Sequence, residues 1–297
     1  MEVEGIAAMD HLLEIEESAA GSFDRKPFYI RHHLADHPLF ALERLVKLAR
    51  GLRGDQAEFY SGDVPVYTSP EDTPSTGLSL EETIRRIESC GAWVVLKNVE
   101  QDPEYRALLD QCLDEVGNVY GSALRGSSER VGFIFISSAN AVTPCHVDHE
   151  HNFLLQIRGS KTIHVGERSF VTERELERFF TGGHRNVSLP EELGSRAAKF
   201  QLSPGDGVHV PFTAPHWVVN GGGVSVSFSI TFQTPESRRR AVVHKVNAHL
   251  RKTGVHPVPP GHSPARDAFK VLGFEALRKA RRLMRSVAPG ARPAVPA

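Results

Sequence analysis

Two separated segments of the chain contain residues that together could bind a metal ion. In Thr-Pro-Cys-His-Val-Asp, His146 and Asp148 are two positions apart, and such residues point to the same side of an extended strand. His216 comes much later, at the start of another strand-like run. Two imidazoles and a carboxylate on one face of iron leave positions open for a bidentate co-substrate and oxygen. The pattern indicates a non-haem iron(II) site, although His-x-Asp is a weak signal in a chain with 15 histidines.

A lysine and a threonine suggest how a co-substrate could be held. Lys161 follows the Gly159-Ser160 turn and starts a strand-like run. If its side chain enters a barrel it needs a counter-charge, because an unpaired buried ammonium is costly. A carboxylate of 2-oxoglutarate is such a partner, and the hydroxyl of Thr143 could donate to it. Taken alone, these two residues favour the alternative, a solvated turn lysine and a threonine that merely precedes Pro144.

The order of the motifs extends this interpretation. The segment resembles the T-P-x-H-x-D, N-F, Q-x-x-G-x-K signature of the JmjC hydroxylases, and most closely the asparaginyl hydroxylase that acts on hypoxia-inducible factor. The matching residues are Thr143, His146, Asp148, Asn152, Phe153, Gln156, Gly159 and Lys161. The later Pro-Gly-Asp, Val-Pro, His216 and Asn-Gly-Gly resemble the distal-histidine segment of the same family.

The resemblance implies roles for individual residues. The implied Fe(II) ligands are His146, Asp148 and His216. The implied 2-oxoglutarate residues are Thr143 and Lys161 at the distal carboxylate, Asn152 near the metal-chelating end, and Ser229 at a position where the family often has another polar contact. Ser229 stands where the family usually has Asn. On an extended segment His149 and His151 would face away from His146, so we expect them on the surface or the substrate side.

The implied activity is that of an Fe(II)- and 2-oxoglutarate-dependent dioxygenase. It would use O2 to hydroxylate a C–H bond of a protein, peptide or small molecule, and it would release succinate and CO2. Hydroxylation is favoured over demethylation because the closest resemblance is to a hydroxylase. One alternative is a non-catalytic cupin-like regulatory protein with a basic tail that binds nucleic acid or a partner. Another is a zinc or manganese cupin isomerase, and neither alternative has a use for Lys161.

The elements around these motifs favour a β-rich fold. From about residue 131, short strand-like runs follow one another with Gly, Pro and Asn between them, as in antiparallel barrels. In residues 224–232, apolar residues alternate strictly with Ser and Thr, as expected between a packed layer and a polar cavity. We predict a mainly β protein with flanking helices, built on a double-stranded β-helix of the jelly-roll or cupin type, as in JmjC proteins.

The chain is predicted to have three parts. Residues 1–130 form an α/β section that packs on the barrel, and residues 54–78 within it read as loop. Residues 131–235 form the catalytic barrel, with an insertion at 167–198. Residues 236–297 form a basic helical segment.

The basic segment differs in charge from the rest of the chain. It holds 14 Lys and Arg against three Asp and Glu, whereas the preceding residues hold 21 basic and 33 acidic residues. Its charge alone slightly favours a solvated basic face docked on the acidic part of the protein over binding to nucleic acid or an anionic membrane surface. By resemblance, a helix at 264–285 joins two copies in a homodimer. No apolar stretch is long enough to cross a membrane. The three cysteines form no CxxC pair, which favours the reducing cytoplasm.

Overall fold

The computed structural model describes residues 11–16, 21–68, 73–121 and 124–287, and its strands pair in antiparallel fashion between and around a set of helices. The strands are β1 (Leu13–Glu14), β2 (Phe28–His32), β3 (Ala57–Ser61), β4 (Ala92–Lys97), β5 (Ser128–Ser137), β6 (Val142–His146), β7 (His151–Arg158), β8 (Lys161–Val165), β9 (Ala198–Leu202), β10 (Asp206–Val210), β11 (His216–Asn220) and β12 (Ser225–Gln233). The helices are α1 (Leu42–Gly51), α2 (Leu80–Arg85), α3 (Pro103–Tyr120), α4 (Glu173–Phe180), α5 (Glu191–Gly194), α6 (Pro235–Lys252) and α7 (Pro264–Val287).

The chain divides into two compact units. The first comprises Met1–Thr172 and His184–Pro235, and the second comprises Glu173–Gly183 and Glu236–Ala297. The three-part division drawn from the sequence stays a prediction. No helix in the described ranges is both long enough and apolar enough to cross a membrane.

The strands of the first unit form two antiparallel sheets. The larger has the order β1-β2-β10-β7-β12-β5-β4-β3, and the smaller has the order β6-β11-β8-β9. A buried apolar cluster contains residues from both sheets, among them Leu154 and Val208 of the larger and Ile163 and Val218 of the smaller. The two sheets therefore pack face to face, and the predicted β-rich barrel with flanking helices is confirmed.

Strand β12 shows why one face of the larger sheet is apolar and the other polar. Phe228 and Ile230 are fully buried in the main core together with the apolar face of α3. The alternate residues Ser227 and Ser229 are also buried, but on the opposite face. The period-two pattern read from the sequence is thus confirmed.

The N-terminal section contributes strands to the same sheet. β2 pairs with β10 at one side, and β3 and β4 extend the other side beyond β5. The prediction that residues 54–78 are loop is wrong for β3, which pairs with β4 along its whole length. Its residues Ala-Glu-Phe-Tyr-Ser lie between Gly and Pro clusters, and the pairing with β4, rather than local propensity, makes them a strand.

The second unit is helical. Helix α6 lies in the segment predicted to be helical, but its bounds were not predicted, because its inward positions include His244 and Asn247 and so interrupt the apolar helical pattern. Arg251 of α6 makes a bidentate ion pair with Glu177 of α4, in which Nε donates to Oε2 at 2.7 Å and Nη2 donates to Oε1 at 2.8 Å. The ring of His244 stacks on Phe180, with 5.1 Å between centroids. The predicted helix at 264–285 is confirmed as α7.

The main core gives a direct test of the sheet assignment. Phe228→Ala is expected to lower the free energy of unfolding by about 3–5 kcal/mol, because it removes a fully buried ring from the core. Val255→Ala, at a side chain that is 47% exposed, should change it by less than about 0.5 kcal/mol. Urea denaturation checks both values, and equal losses for the two variants would contradict the described core.

Candidate metal centre

Strand pairing brings the two histidines of the sequence motif together. β6 ends at His146, β11 begins at His216, and these two residues are direct partners in the antiparallel pair. Asp148 lies two residues beyond the end of β6, just before a bend in the chain. The register of β6 and β11 therefore places side chains that are remote in the sequence at one end of the smaller sheet.

The three side chains converge closely enough to share one ion. One ligand atom from each residue can be chosen so that all three lie within 4.8 Å of one another. Nε2 of His216 is 3.3 Å from Oδ2 of Asp148, and Nε2 of His146 is 3.7 Å from Oδ1. The two imidazole centroids are 4.2 Å apart. Both histidines are buried, while a fifth of the Asp148 side chain is exposed. This is the predicted triad, gathered at one point.

Local hydrogen bonds orient both imidazoles. Nδ1 of His146 lies 2.7 Å from the carbonyl oxygen of Pro144, and Nδ1 of His216 lies 3.0 Å from that of Ala214. A carbonyl oxygen can only accept, so each Nδ1 carries the proton and each Nε2 keeps its lone pair. Metal-binding histidines are commonly fixed by a hydrogen bond of this kind. Two neutral imidazoles and a carboxylate suit iron and similar divalent metals.

The electrostatics keep the site in its metal-binding protonation state. Burial, together with the neighbouring His216, lowers the pKa of His146 to about 3. Burial alone would raise the pKa of Asp148, but the two imidazoles outweigh it and the pKa is lowered. At neutral pH His146 is therefore neutral and Asp148 is ionised, as metal binding requires.

Lys161 is buried at the start of β8, with 5% of its surface exposed. Among the ion pairs of the described residues none involves Lys161, and its pKa is lowered to about 7 by burial. The structure thus disagrees with the alternative of a solvated turn lysine. Thr143 is half-buried on β6, where it pairs with Val218 of β11. Along β11, the partner of Thr143 lies between the partner of His146 and the partner of Lys161, so Thr143 is at an intermediate level in the sheet.

A buried polar row lies on the inner face of the larger sheet. Ser229 donates its hydroxyl to Oδ1 of Asn152, at 2.6 Å, and both side chains are buried. Further along, Gln156 accepts from Ser227 at 2.6 Å and donates to Ser225 at 3.0 Å. Asn152 and Ser229, which the sequence predicted at the co-substrate, are therefore hydrogen-bonded to each other in this row.

The two histidines next to the triad have different environments. His149 is exposed, as expected. His151 is 1% exposed and stacks on Phe23 and Phe232, with centroids 4.9 and 5.5 Å apart. The expectation of a surface or substrate-side position is therefore wrong for His151. The chain bends between β6 and β7, so simple alternation does not carry through from His146.

Two further segments, around Arg185 and around Val66, lie beside the triad. The backbone N–H of Val147 donates to the carbonyl of Arg185 at 3.1 Å, and Asn186 forms an isolated bridge with His146. On the other side, the N–H of Cys145 donates to Val66 at 2.8 Å. Arg185 also lowers the pKa of Asp148. These segments are irregular backbone, and only the positive charge of Arg185 offered a signal.

Comparison with known proteins agrees with this arrangement. The family model of the JmjC domain matches residues 123–239. Residues 123–239 are therefore a JmjC domain, and the resemblance seen in the motifs is confirmed. No curated protein matches the sequence significantly.

Solved structures show the same fold. The chain is similar to the X-ray structure of YcfD from Escherichia coli, with a TM-score of 0.53 and 16% identity over 90% of this chain and 68% of that one. A second structure is that of YcfD, a ribosomal oxygenase, in complex with cobalt and 2-oxoglutarate. It matches with a TM-score of 0.52 and 16% identity over 90% of this chain and 67% of that one. The JmjC or cupin fold is thus established for this chain.

The burial of Lys161 has a measurable consequence for stability. Lys161→Met is expected to raise the free energy of unfolding at pH 7 by about 1–4 kcal/mol, because it removes a buried charge that has no ion-pair partner. Between about pH 7 and 10.5 the unfolded chain holds the proton that folded Lys161 has released, so the wild type gains stability as pH rises. The advantage of the variant should therefore shrink over this range.

Urea denaturation at pH 7 and pH 9.5 measures this difference. Lys199→Met, at an exposed position of the neighbouring β9, is the control and should show little change at either pH. A Lys161→Met protein that is less stable than the wild type at pH 7 would mean that the lysine has a stabilising partner.

Proposed function

We propose that this protein is an Fe(II)- and 2-oxoglutarate-dependent dioxygenase that hydroxylates a C–H bond of its substrate. The observation that carries the proposal is a pair of features in one barrel. A His-Asp-His triad has its ligand atoms within 4.8 Å of one another, and a buried lysine has no acidic partner among the described side chains. A protein that only binds a metal ion would need the triad but would not need the buried lysine. The YcfD structure with cobalt and 2-oxoglutarate supports the same proposal.

Each predicted site residue has a role in this proposal. His146, Asp148 and His216 hold the iron through the two Nε2 atoms and a carboxylate oxygen. Lys161 and Thr143 hold the distal carboxylate of 2-oxoglutarate by charge and by a hydroxyl hydrogen bond. Asn152 and Ser229, already hydrogen-bonded to each other, border the end of the co-substrate that chelates the metal.

The protein's own contribution is to position the reactants and to exclude water. When bound, iron supplies the oxidising chemistry by which 2-oxoglutarate and O2 become succinate and CO2, with one oxygen atom passing to the substrate. The apolar residues around the site, such as Ile163 and Val218, keep water from the co-substrate and strengthen its attraction to Lys161. The polar row on the inner face satisfies its own hydrogen bonds and so remains buried without a ligand.

The oxygenase assignment is tested by spectroscopy and product analysis. Under anaerobic conditions, Fe(II) and 2-oxoglutarate together should produce a visible charge-transfer band in the wild-type protein. Admission of oxygen should then yield succinate. Asp148→Ala should lose both signals because it removes the anionic ligand. Asp110→Ala is a matched control, because it removes a carboxylate of α3 that pairs with Arg130 of β5, and it should keep both signals.

Two outcomes of this experiment would contradict the proposal. A wild-type protein with neither signal would favour the non-catalytic cupin-like regulator. Metal binding without a response to 2-oxoglutarate would favour an isomerase-type cupin. The favoured outcome, hydroxylation rather than demethylation, predicts that substrates in a treated cell extract gain one oxygen atom rather than lose a methylene group.

We further propose that α7 joins two copies of this chain. Large apolar side chains on this helix are exposed by 51–76%, namely Phe269, Leu272, Leu277, Leu283 and Met284. An amphipathic helix normally buries such a face. The helix is also strongly basic after Glu275, whereas residues 1–235 are acidic, so a second copy offers complementary charge. Nucleic acid offers charge but no apolar surface of this extent.

Sedimentation analysis of matched variants tests the dimer. Leu272→Glu, on the apolar face, is expected to convert a dimer into a monomer because it places a charge inside the interface. Arg278→Glu introduces the same side chain on the opposite face of α7 and should leave the helix contact in place. A wild-type protein that sediments as a monomer at micromolar concentration would contradict the proposal.

We also propose a cytoplasmic location. Cys90, Cys112 and Cys145 are all free thiols, and the last two are buried. Burial raises the pKa of Cys145 to about 12, so this thiol stays protonated and unreactive. Free, buried thiols are typical of proteins in reducing compartments.

A further inference from the structure

Asn220, the last residue of β11, has a buried side-chain oxygen with no evident use. Its side chain is 3% exposed. Nδ2 donates to the carbonyl oxygen of Ala141 at 2.7 Å, and the backbone N–H donates to the same oxygen at 3.0 Å. Because a carbonyl can only accept, these bonds fix which end of the amide is the donor. Oδ1 is therefore the free acceptor, and within the described residues it has no hydrogen-bond partner.

Lys161 lies opposite this residue. In the antiparallel pair of β8 and β11, Asn220 is the direct partner of Lys161. Direct partners project their side chains from the same face of the sheet, with Cβ atoms about 4.5–5.5 Å apart. The next inward pair along the same strands, Ile163 and Val218, belongs to the core between the sheets. Asn220 and Lys161 therefore share the inner face of the barrel.

The chemistry of the two groups is complementary. An ammonium has three N–H donors and no acceptor, whereas Oδ1 is an acceptor only. Each is buried, and leaving such a group unpaired is unfavourable. We propose that Asn220 is a positioning residue for the co-substrate. When a dicarboxylate enters, Oδ1 accepts one hydrogen bond from the Lys161 ammonium and directs its other N–H groups at the distal carboxylate.

The backbone around Asn220 is suited to this role because it is held on both sides. The N–H of Gly221 donates to the carbonyl of Ser160 at 2.8 Å. A Cβ on Gly221 would lie 2.2 Å from the hydroxyl oxygen of Ser160 and 3.1 Å from its carbonyl oxygen, so any larger residue at this position would require Ser160 to shift. Lysine loses much rotamer freedom when it is fixed, and a rigid acceptor limits the orientations it must search. Asn220 thus provides a rigidly held hydrogen-bond acceptor that can orient the flexible side chain of Lys161.

This inference rests on the proposed function, and its test measures binding rather than turnover. Protein loaded with Mn(II) is titrated calorimetrically with 2-oxoglutarate and, separately, with 2-oxopentanoate, which lacks the distal carboxylate. Asn220→Ala is expected to weaken 2-oxoglutarate binding by about tenfold or more, the effect of losing a hydrogen bond to a charged group. Binding of 2-oxopentanoate should be unchanged, because Lys161 has no carboxylate to contact in that complex.

Two further variants separate positioning from general structural support. Asn247 is a buried asparagine of α6 with the same pattern, since Nδ2 donates to Val258 at 3.1 Å and Oδ1 has no partner among the described residues. Asn247→Ala should lower the thermal midpoint as Asn220→Ala does, but leave both affinities unchanged. In a Lys161→Ala background, Asn220→Ala should cause no further loss of 2-oxoglutarate affinity, because the two residues act through one contact.

The outcomes are distinguishable. If Asn220→Ala weakens the binding of both ligands equally, or weakens 2-oxoglutarate binding equally with and without Lys161, then Asn220 only supports the local structure and the inference is wrong. If Asn220→Ala leaves 2-oxoglutarate binding unchanged while the wild type prefers it over 2-oxopentanoate, the inference is wrong but the proposed function stands. A wild type that binds neither keto acid contradicts the proposed function itself.

Discussion

The antiparallel pairing of β11 with β6 and β8 is the constraint on which the site depends. At one end of β11, this pairing places His216 opposite His146. At the other end it places Asn220 opposite Lys161. Because strands have a fixed rise of about 3.3 Å per residue, the register fixes the distance between the metal end and the cationic end. In the proposed complex, the four-carbon stem of lysine and an extended dicarboxylate would together fill that distance. A slip of β11 by one residue would turn both His216 and Asn220 outward.

The residues that stabilise the barrel and the residues of the site lie on opposite faces of its sheets. The outer face of the larger sheet packs with α3 in an apolar core, where Phe228 and Ile230 are fully buried. The inside of the barrel carries the polar row of the larger sheet and Lys161 of the smaller sheet, which contribute little apolar burial and include a charge without an ion-pair partner among the described residues. A site of this kind is tolerated because the outer core stabilises the sheet independently of it.

Much of the fold and the site could be predicted because their signals are local and periodic. The alternation in β12 depends only on neighbouring residues, and the His-x-Asp spacing depends only on the backbone at the end of β6 and the two residues that follow it. Strand β3, the inward polar positions of α6 and the segment around Arg185 escaped prediction. Their conformations depend on distant partners, such as β4 for β3 and β6 for the Arg185 segment. His151 was misplaced because the chain bends after Asp148, and periodicity cannot extend through a bend.

The central claim is that one barrel holds a metal ion at the triad and an anion at Lys161, and a crystal structure of the protein with Mn(II) and 2-oxoglutarate tests it most directly. The account predicts Mn(II) coordinated by His146, Asp148 and His216, with the keto-acid end of 2-oxoglutarate on the metal and its far carboxylate within hydrogen-bond distance of the Lys161 ammonium. A metal bound elsewhere, or a co-substrate whose far carboxylate does not reach Lys161, would contradict it.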